Sequence, residues 1–166
     1  MAAWANSFCP DTWNYRTGLQ SHLYVLQQEL HTEMTQFDLD LTTYIQSTFC
    51  FVDEQTPESV ALDLHYVWEG LTCLNSTLQI LSSKRVRGTR LVARRILNRN
   101  KGRLNDAIED VRTLALKAQR STYLPHPQLT DDCSLWRNSS DYFLLLSYSF
   151  VSRSLTLSQD LMNRCS

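Results

Sequence analysis

The 166-residue chain is predicted to be all-α, a four-helix bundle with up-up-down-down connectivity, forming one domain over residues 1–166. Three observations carry this expectation. Apolar residues recur at helical spacing in four separate stretches, the connections between them run long, short, long, and strand-like alternation is almost absent. An apolar content of 43% is ordinary for a globular chain of this length and fits a single core.

The first helix, about residues 12–35, is marked by Leu19, Leu23, Leu26 and Leu30, with Asp11 or Thr12 placed to cap its start. The second, residues 57–82, has the clearest stripe: Val60, Leu64, Val67, Leu71, Leu74, Leu78 and Leu81 follow alternating steps of four and three. Thr56 can cap it, and Pro57 suits a first helical position, where a missing N–H costs nothing. The third helix follows Gly88, about residues 89–120, with Leu97, Leu104, Ile108, Val111, Ala115 and Ala118 on one face, Gly102 inside it, and Pro125 and Pro127 beyond it. The fourth, residues 139–163, carries Phe143, Leu146, Phe150, Leu157 and Leu161. Only Thr42 to Val52 has the β-branched and aromatic character of a short strand.

Connection length discriminates between bundle topologies, because a parallel neighbour needs a link long enough to return along the bundle. The links from about Gln36 to Gln55 and from about Ser121 to Asn138 are long; that from about Ser82 to Thr89 is short. A helix of ~25 residues is ~38 Å long, and an extended link of 18 to 20 residues reaches up to ~60 Å. Both long links can therefore cross over, although reach alone permits a crossover without requiring one.

A net charge of -1 gives no global attraction to nucleic acid or to an anionic membrane, and no apolar run approaches the ~20 residues of a spanning helix. The expectation is therefore no nucleic-acid partner and no membrane insertion. The first residues lack the basic region and apolar stretch of a signal peptide, which taken literally points to the cytosol. Two features point outward instead. Asn75 and Asn138 open the glycosylation sequons Asn75-Ser76-Thr77 and Asn138-Ser139-Ser140, and the five cysteines contain no Cys-x-x-Cys pair. Cys9 and Cys165 lie near opposite ends, where a disulfide can tie them if the first and last helices are neighbours; reduced, buried thiols are the other reading. The reading that reconciles these features is a mature secreted chain whose leader is replaced by Met1.

Catalytic chemistry finds no foothold. The chain has four glycines, no glycine-rich phosphate loop, no Gly-x-Ser-x-Gly and no His-Glu-x-x-His, and no histidine pair at zinc-ligand spacing, so neither catalytic residues nor a metal or cofactor are expected. The most unusual feature is basic: Lys84, Arg85, Arg87, Arg90, Arg94, Arg95, Arg99, Lys101 and Arg103 supply nine of the sixteen Lys and Arg. Such a run faces solvent or an anionic partner, with Arg85, Arg87, Arg90, Arg94 and Arg95 the polyanion-binding candidates. Heparan-type glycans, an acidic receptor surface and RNA are the options, RNA being disfavoured because no aromatic residue is interleaved for base stacking.

The stretch Val67-Trp68-Glu69-Gly70-Leu71 followed by Leu74 is similar to a Val-Trp-Gln-Gly-Leu segment of the erythropoietin/thrombopoietin family of helical cytokines, and two further stretches resemble the same family. Ala107-Ile108-Glu109-Asp110-Val111-Arg112-Thr113-Leu114 resembles its Ala-Val-Ser-Gly-Leu-Arg-Ser-Leu stretch. Cys9 with Arg16, and Tyr148-Ser149, Phe150, Arg153 and Cys165 with a one-residue shift, resemble its first and last helices. The family's short-loop cysteine pair is not reproduced: Cys50, Cys73 and Cys133 have no counterpart there.

The resemblance implies a secreted, hormone-like glycoprotein that bridges two copies of a single-pass cytokine receptor and so activates receptor-associated kinases. It implies a Cys9–Cys165 disulfide, one receptor face using Arg16 and Arg112, and an opposite face using Arg153. At about 100° per residue all three arginines fall beside their apolar stripes, from which a guanidinium can reach outward. A divergent interferon or another cytokine of this architecture fits the same observations. So, from another class, does an intracellular helical adaptor with a basic RNA- or glycan-binding segment.

Overall fold

In the computed structural model the leucine-rich stripes become helices that bury one face each. Residues 8–36, 57–83, 87–119 and 143–165 are described. They form helix α1 (Trp13–Gln36), helix α2 (Pro57–Ser83), helix α3 (Arg87–Gln119) and helix α4 (Phe143–Arg164), with a short helical turn at 8–11 ahead of α1. The strand-like stretch from Thr42 to Val52 and both long links lie outside the described residues.

Helix α1 packs against α3 and α4, α2 packs against α3, and α2 touches α4 more sparingly. Side-chain contacts give the directions. Glu33 meets Arg95, Glu29 meets Arg99 and His22 lies near Asp110, so α1 runs antiparallel to α3. The same holds for α4, where Arg16 reaches Met162, Gln27 donates to Ser152, and the His31 ring lies tilted against that of Tyr148. Beyond the last turn of α4, Cys165 is disulfide-bonded to Cys9, with Cα atoms 5.4 Å apart. That bond ties the two ends of the described chain across a sequence separation of 156.

The core is built as the periodicity demands. Leu19, Leu23, Leu26 and Leu30 on α1, and all seven predicted residues on α2, are buried. Two helices correct the predicted stripe. On α3, Leu97 and Ile108 pack only partly buried, while Ile96 and Ala107, one residue round the helix, are inside. On α4, Leu157 is half-buried, while Leu144, Leu145, Val151 and Leu155 join the core together with Ser147, Ser154 and Ser158. Serines are poor markers of a buried face, yet here Ser147 Oγ donates to the Phe143 carbonyl at 2.5 Å and Ser158 Oγ to that of Leu155 at 2.8 Å. A hydroxyl satisfied by its own helix is small enough to bury without opening a cavity.

Gly70 explains how α2 approaches α4. A Cβ at Gly70 would lie 2.1 Å from Phe150 Cζ, so the fully buried Phe150 ring occupies the space that any side chain would need. The glycine in the Val67-Trp68-Glu69-Gly70-Leu71 segment is therefore a packing residue, with its helix-propensity cost of about 1 kcal/mol offset by an aromatic ring seated on bare backbone.

Candidate functional site

Arg16 departs from expectation. It is only 2% exposed, and its guanidinium turns inward: Nε donates to Thr12 Oγ1 at 2.9 Å, Nη2 to the Cys9 carbonyl at 2.7 Å, and Nη1 approaches Met162 Sδ at 3.6 Å. The guanidinium carbon Cζ also lies over the Trp13 ring, 5.6 Å from the centroid. Burial lowers its pKa from arginine's ordinary value, though a guanidinium stays charged at any physiological pH. The outward reach expected of this side chain is corrected: Arg16 fastens the turn at 8–11 to α1 and α4 beside the disulfide. Thr12 is drawn into the same arrangement. Its carbonyl accepts from Arg16 N at 2.9 Å at the helix start, but its hydroxyl donates back to the Phe8 carbonyl at 2.6 Å instead of capping forward.

The basic run divides between two sides of α3. Arg95 makes a two-pronged contact with Glu33, Nε to Oε1 at 3.0 Å and Nη2 to Oε2 at 2.7 Å, and Arg99 lies 3.6 Å from Glu29. Glu33 is 2% exposed, so its carboxylate depends on Arg95 for the hydrogen bonds that water would otherwise supply. That bond also raises the Arg95 pKa. Part of the anionic partner that the run requires is thus α1 itself. Arg103 donates to Asn100 within α3. Arg94, by contrast, is exposed and among the described residues reaches only the Ser82 carbonyl, at 3.3 Å, and the half-buried Arg90 has an Nε shielded from water without a hydrogen-bond partner among the described residues. Lys101 is exposed. Arg85 and the side chain of Arg87 lie outside the described residues.

On the α1–α3 seam, Asp110 sits over the first helix, its Oδ2 only 2.5 Å from where a Cβ of Gly18 would stand and 3.9 Å from His22 Nε2. Desolvation raises the Asp110 pKa, His22 opposes that shift, and the neighbouring carboxylates Asp106 and Glu109 add to it. Arg112, two residues on, is half-buried on α3, and Arg153 is half-buried on α4. These two occupy different helices.

Asn75 lies in the interior of α2, not on a loop; its Oδ1 is buried without a partner among the described residues, and Thr77 of the same sequon is 1% exposed. In the folded chain the sequon hydroxyl is therefore inaccessible. Asn138, Cys50 and Cys133 lie outside the described residues. Cys73 is disulfide-bonded as well. Sequence reasoning passed over Trp13 and Tyr24, which are 56% and 54% exposed on α1. Their separation of eleven residues is close to three turns, so they share one side, and that spacing was readable. Among the described residues no group of His, Cys, Asp and Glu could hold a metal ion, and no helix is long and apolar enough to cross a membrane. Compared with known proteins, the chain matches no family model, no curated protein and no solved structure.

Proposed function

We propose that this chain is an extracellular helical cytokine of up-up-down-down topology that acts by bridging two copies of a single-pass receptor to trigger kinase signalling. The observation that carries the reading is the arrangement of α1, antiparallel to both α3 and α4 and tied to the end of α4 by Cys9–Cys165. With α1 up, α3 and α4 run down. Only residues 84–86 join α2 to α3, which favours an antiparallel pair and hence an α2 parallel to α1, across the bundle from it. Disulfides at Cys9–Cys165 and at Cys73 favour an oxidising compartment over the alternative of an intracellular adaptor.

Two receptor faces follow, one on α3 around Arg112 and one on α4 around Arg153, with Arg16 acting only as a structural support. Arginine suits such faces because its planar fork makes several directed bonds. Charge reversal separates the faces. Arg112→Glu is expected to leave a one-to-one receptor complex and abolish recruitment of the second copy, giving a competitive antagonist, whereas Arg153→Glu weakens the first binding step. A charge pair broken on one side costs roughly 2–5 kcal/mol, about thirty- to several-thousand-fold in affinity. Calorimetry against candidate receptor ectodomains, beside a cell-signalling assay, reads both effects. Unchanged affinity, stoichiometry and signalling in both folded variants would remove the residue assignment.

A further inference from the structure

The division of the basic run leaves a second feature that receptor bridging does not use. At about 100° per residue, the exposed Arg94 and Lys101 and the half-buried Arg90 fall within an arc of roughly 40° on the flank of α3 toward the end of α2, where Arg94 reaches the Ser82 carbonyl, well apart from the arc of Arg95 and Arg99 that faces α1. Asn98 and Asn105, both exposed, continue the same side. No Asp or Glu occurs anywhere between Glu69 and Asp106.

Neighbouring helices add little negative charge. Residues 143–159 of α4 hold no carboxylate, and in α1 the only two are Glu29 and Glu33, which Arg99 and Arg95 already engage. Among the described residues, then, this end of the bundle presents cations without a compensating acid, although the whole chain carries a net charge of -1.

We propose that Arg90, Arg94 and Lys101 form a track for a linear sulfated polysaccharide. The cations are strung over eleven residues of helix, about 16 Å, which suits an extended polyanion better than a single compact anion. The asparagines between and beyond them offer amide donors and acceptors to sulfate and hydroxyl groups. Single-stranded nucleic acid would gain most of its non-electrostatic affinity by stacking, and residues 87–105 contain no aromatic side chain; Leu91 is the exposed apolar residue there. This inference is independent of the receptor reading, because it uses neither Arg112 nor Arg153.

The test is retention of the full chain on immobilised heparin and on a plain sulfonate cation exchanger, together with the salt dependence of binding to a heparin-derived oligosaccharide. The wild-type protein should elute from heparin at distinctly higher salt than from the sulfonate resin. Combining Arg90→Gln, Arg94→Gln and Lys101→Gln should abolish that difference and reduce the slope of log affinity against log salt by about two to three; Arg94→Gln alone should reduce it by about one. Arg99→Gln, on the α1-facing arc, should leave the slope as it is. Equal elution from the two resins, an unaltered slope in the folded triple variant, or an equal loss in Arg99→Gln would overturn the proposal. Preferential binding of single-stranded RNA over the oligosaccharide at the same ionic strength would also overturn it, assigning the track to another class of partner.

Discussion

Two acidic side chains facing α1 and α3 behave in opposite ways. Glu33 is held by a two-pronged arginine contact, so Arg95→Ala strands a buried carboxylate. Because Arg95 itself is 41% exposed, water can partly replace it, and a loss of about 1–3 kcal/mol is expected. Adding Glu33→Leu, which removes the stranded charge, should restore stability in chemical denaturation; a double variant no more stable than Arg95→Ala would show that the buried charge is not the cause. Asp110 has no such partner. Its folded pKa lies above the unfolded value, so the native state retains a proton that the unfolded chain releases, and stability falls as pH rises from the ordinary carboxylate range through the folded pKa. Asp110→Asn should therefore match the wild type in acid and melt at higher temperature near neutral pH. A variant that melts lower at neutral pH would mean that the His22 contact outweighs the cost of burial. None of this was legible in the sequence. Spacing placed Arg16 beside its stripe, but only the folded corner around Cys9, Thr12 and Met162 shows that its guanidinium turns inward.

At the scale of helices, periodicity was a good guide where leucine and valine dominate and a poor one where small residues do. The stripe of α2 reads directly from steps of three and four. In α4 the buried Ser147, Ser154 and Ser158 look polar in a sequence, and in α3 Ala93 and Ala107 carry too little apolar surface to outweigh Leu97 and Ile108. Gly70 and Gly102 show why a residue type alone does not settle a role. Both interrupt helices, yet a Cβ at Gly70 would collide with Phe150 whereas one at Gly102 would meet nothing within 4 Å. Gly70→Ala is thus expected to lose about 1–3 kcal/mol through overpacking, exceeding its gain in helix propensity, while Gly102→Ala should gain about 0.5–1 kcal/mol. Urea unfolding of the two variants should move the midpoints in opposite directions; a shift in the same direction would mean that the Phe150 ring relaxes at little cost.

For the whole molecule, the helical bundle and the Cys9–Cys165 bond were readable in advance, the first from periodicity and the second from terminal placement joined to a family resemblance. By loop-closure entropy, a bond spanning 156 residues lies at the upper end of the usual range, about 2–5 kcal/mol. Replacing both cysteines by serine should lower the melting temperature by roughly 10 °C for a domain of this size and reduce refolding yield, as read by calorimetry and by recovered monomer. An unchanged melting temperature would assign the stability to the core alone.

The same bond changes what counts as a break in this polymer. With Cys9 covalently joined to Cys165, the backbone between them is a closed ring, and one peptide bond cut anywhere within it opens the ring without releasing a fragment. A protease that nicks any inter-helix connection would leave a single covalent molecule, heavier only by the water of hydrolysis, its helices still held together by their buried faces. The two fragments would separate on a denaturing gel only when a reductant is added.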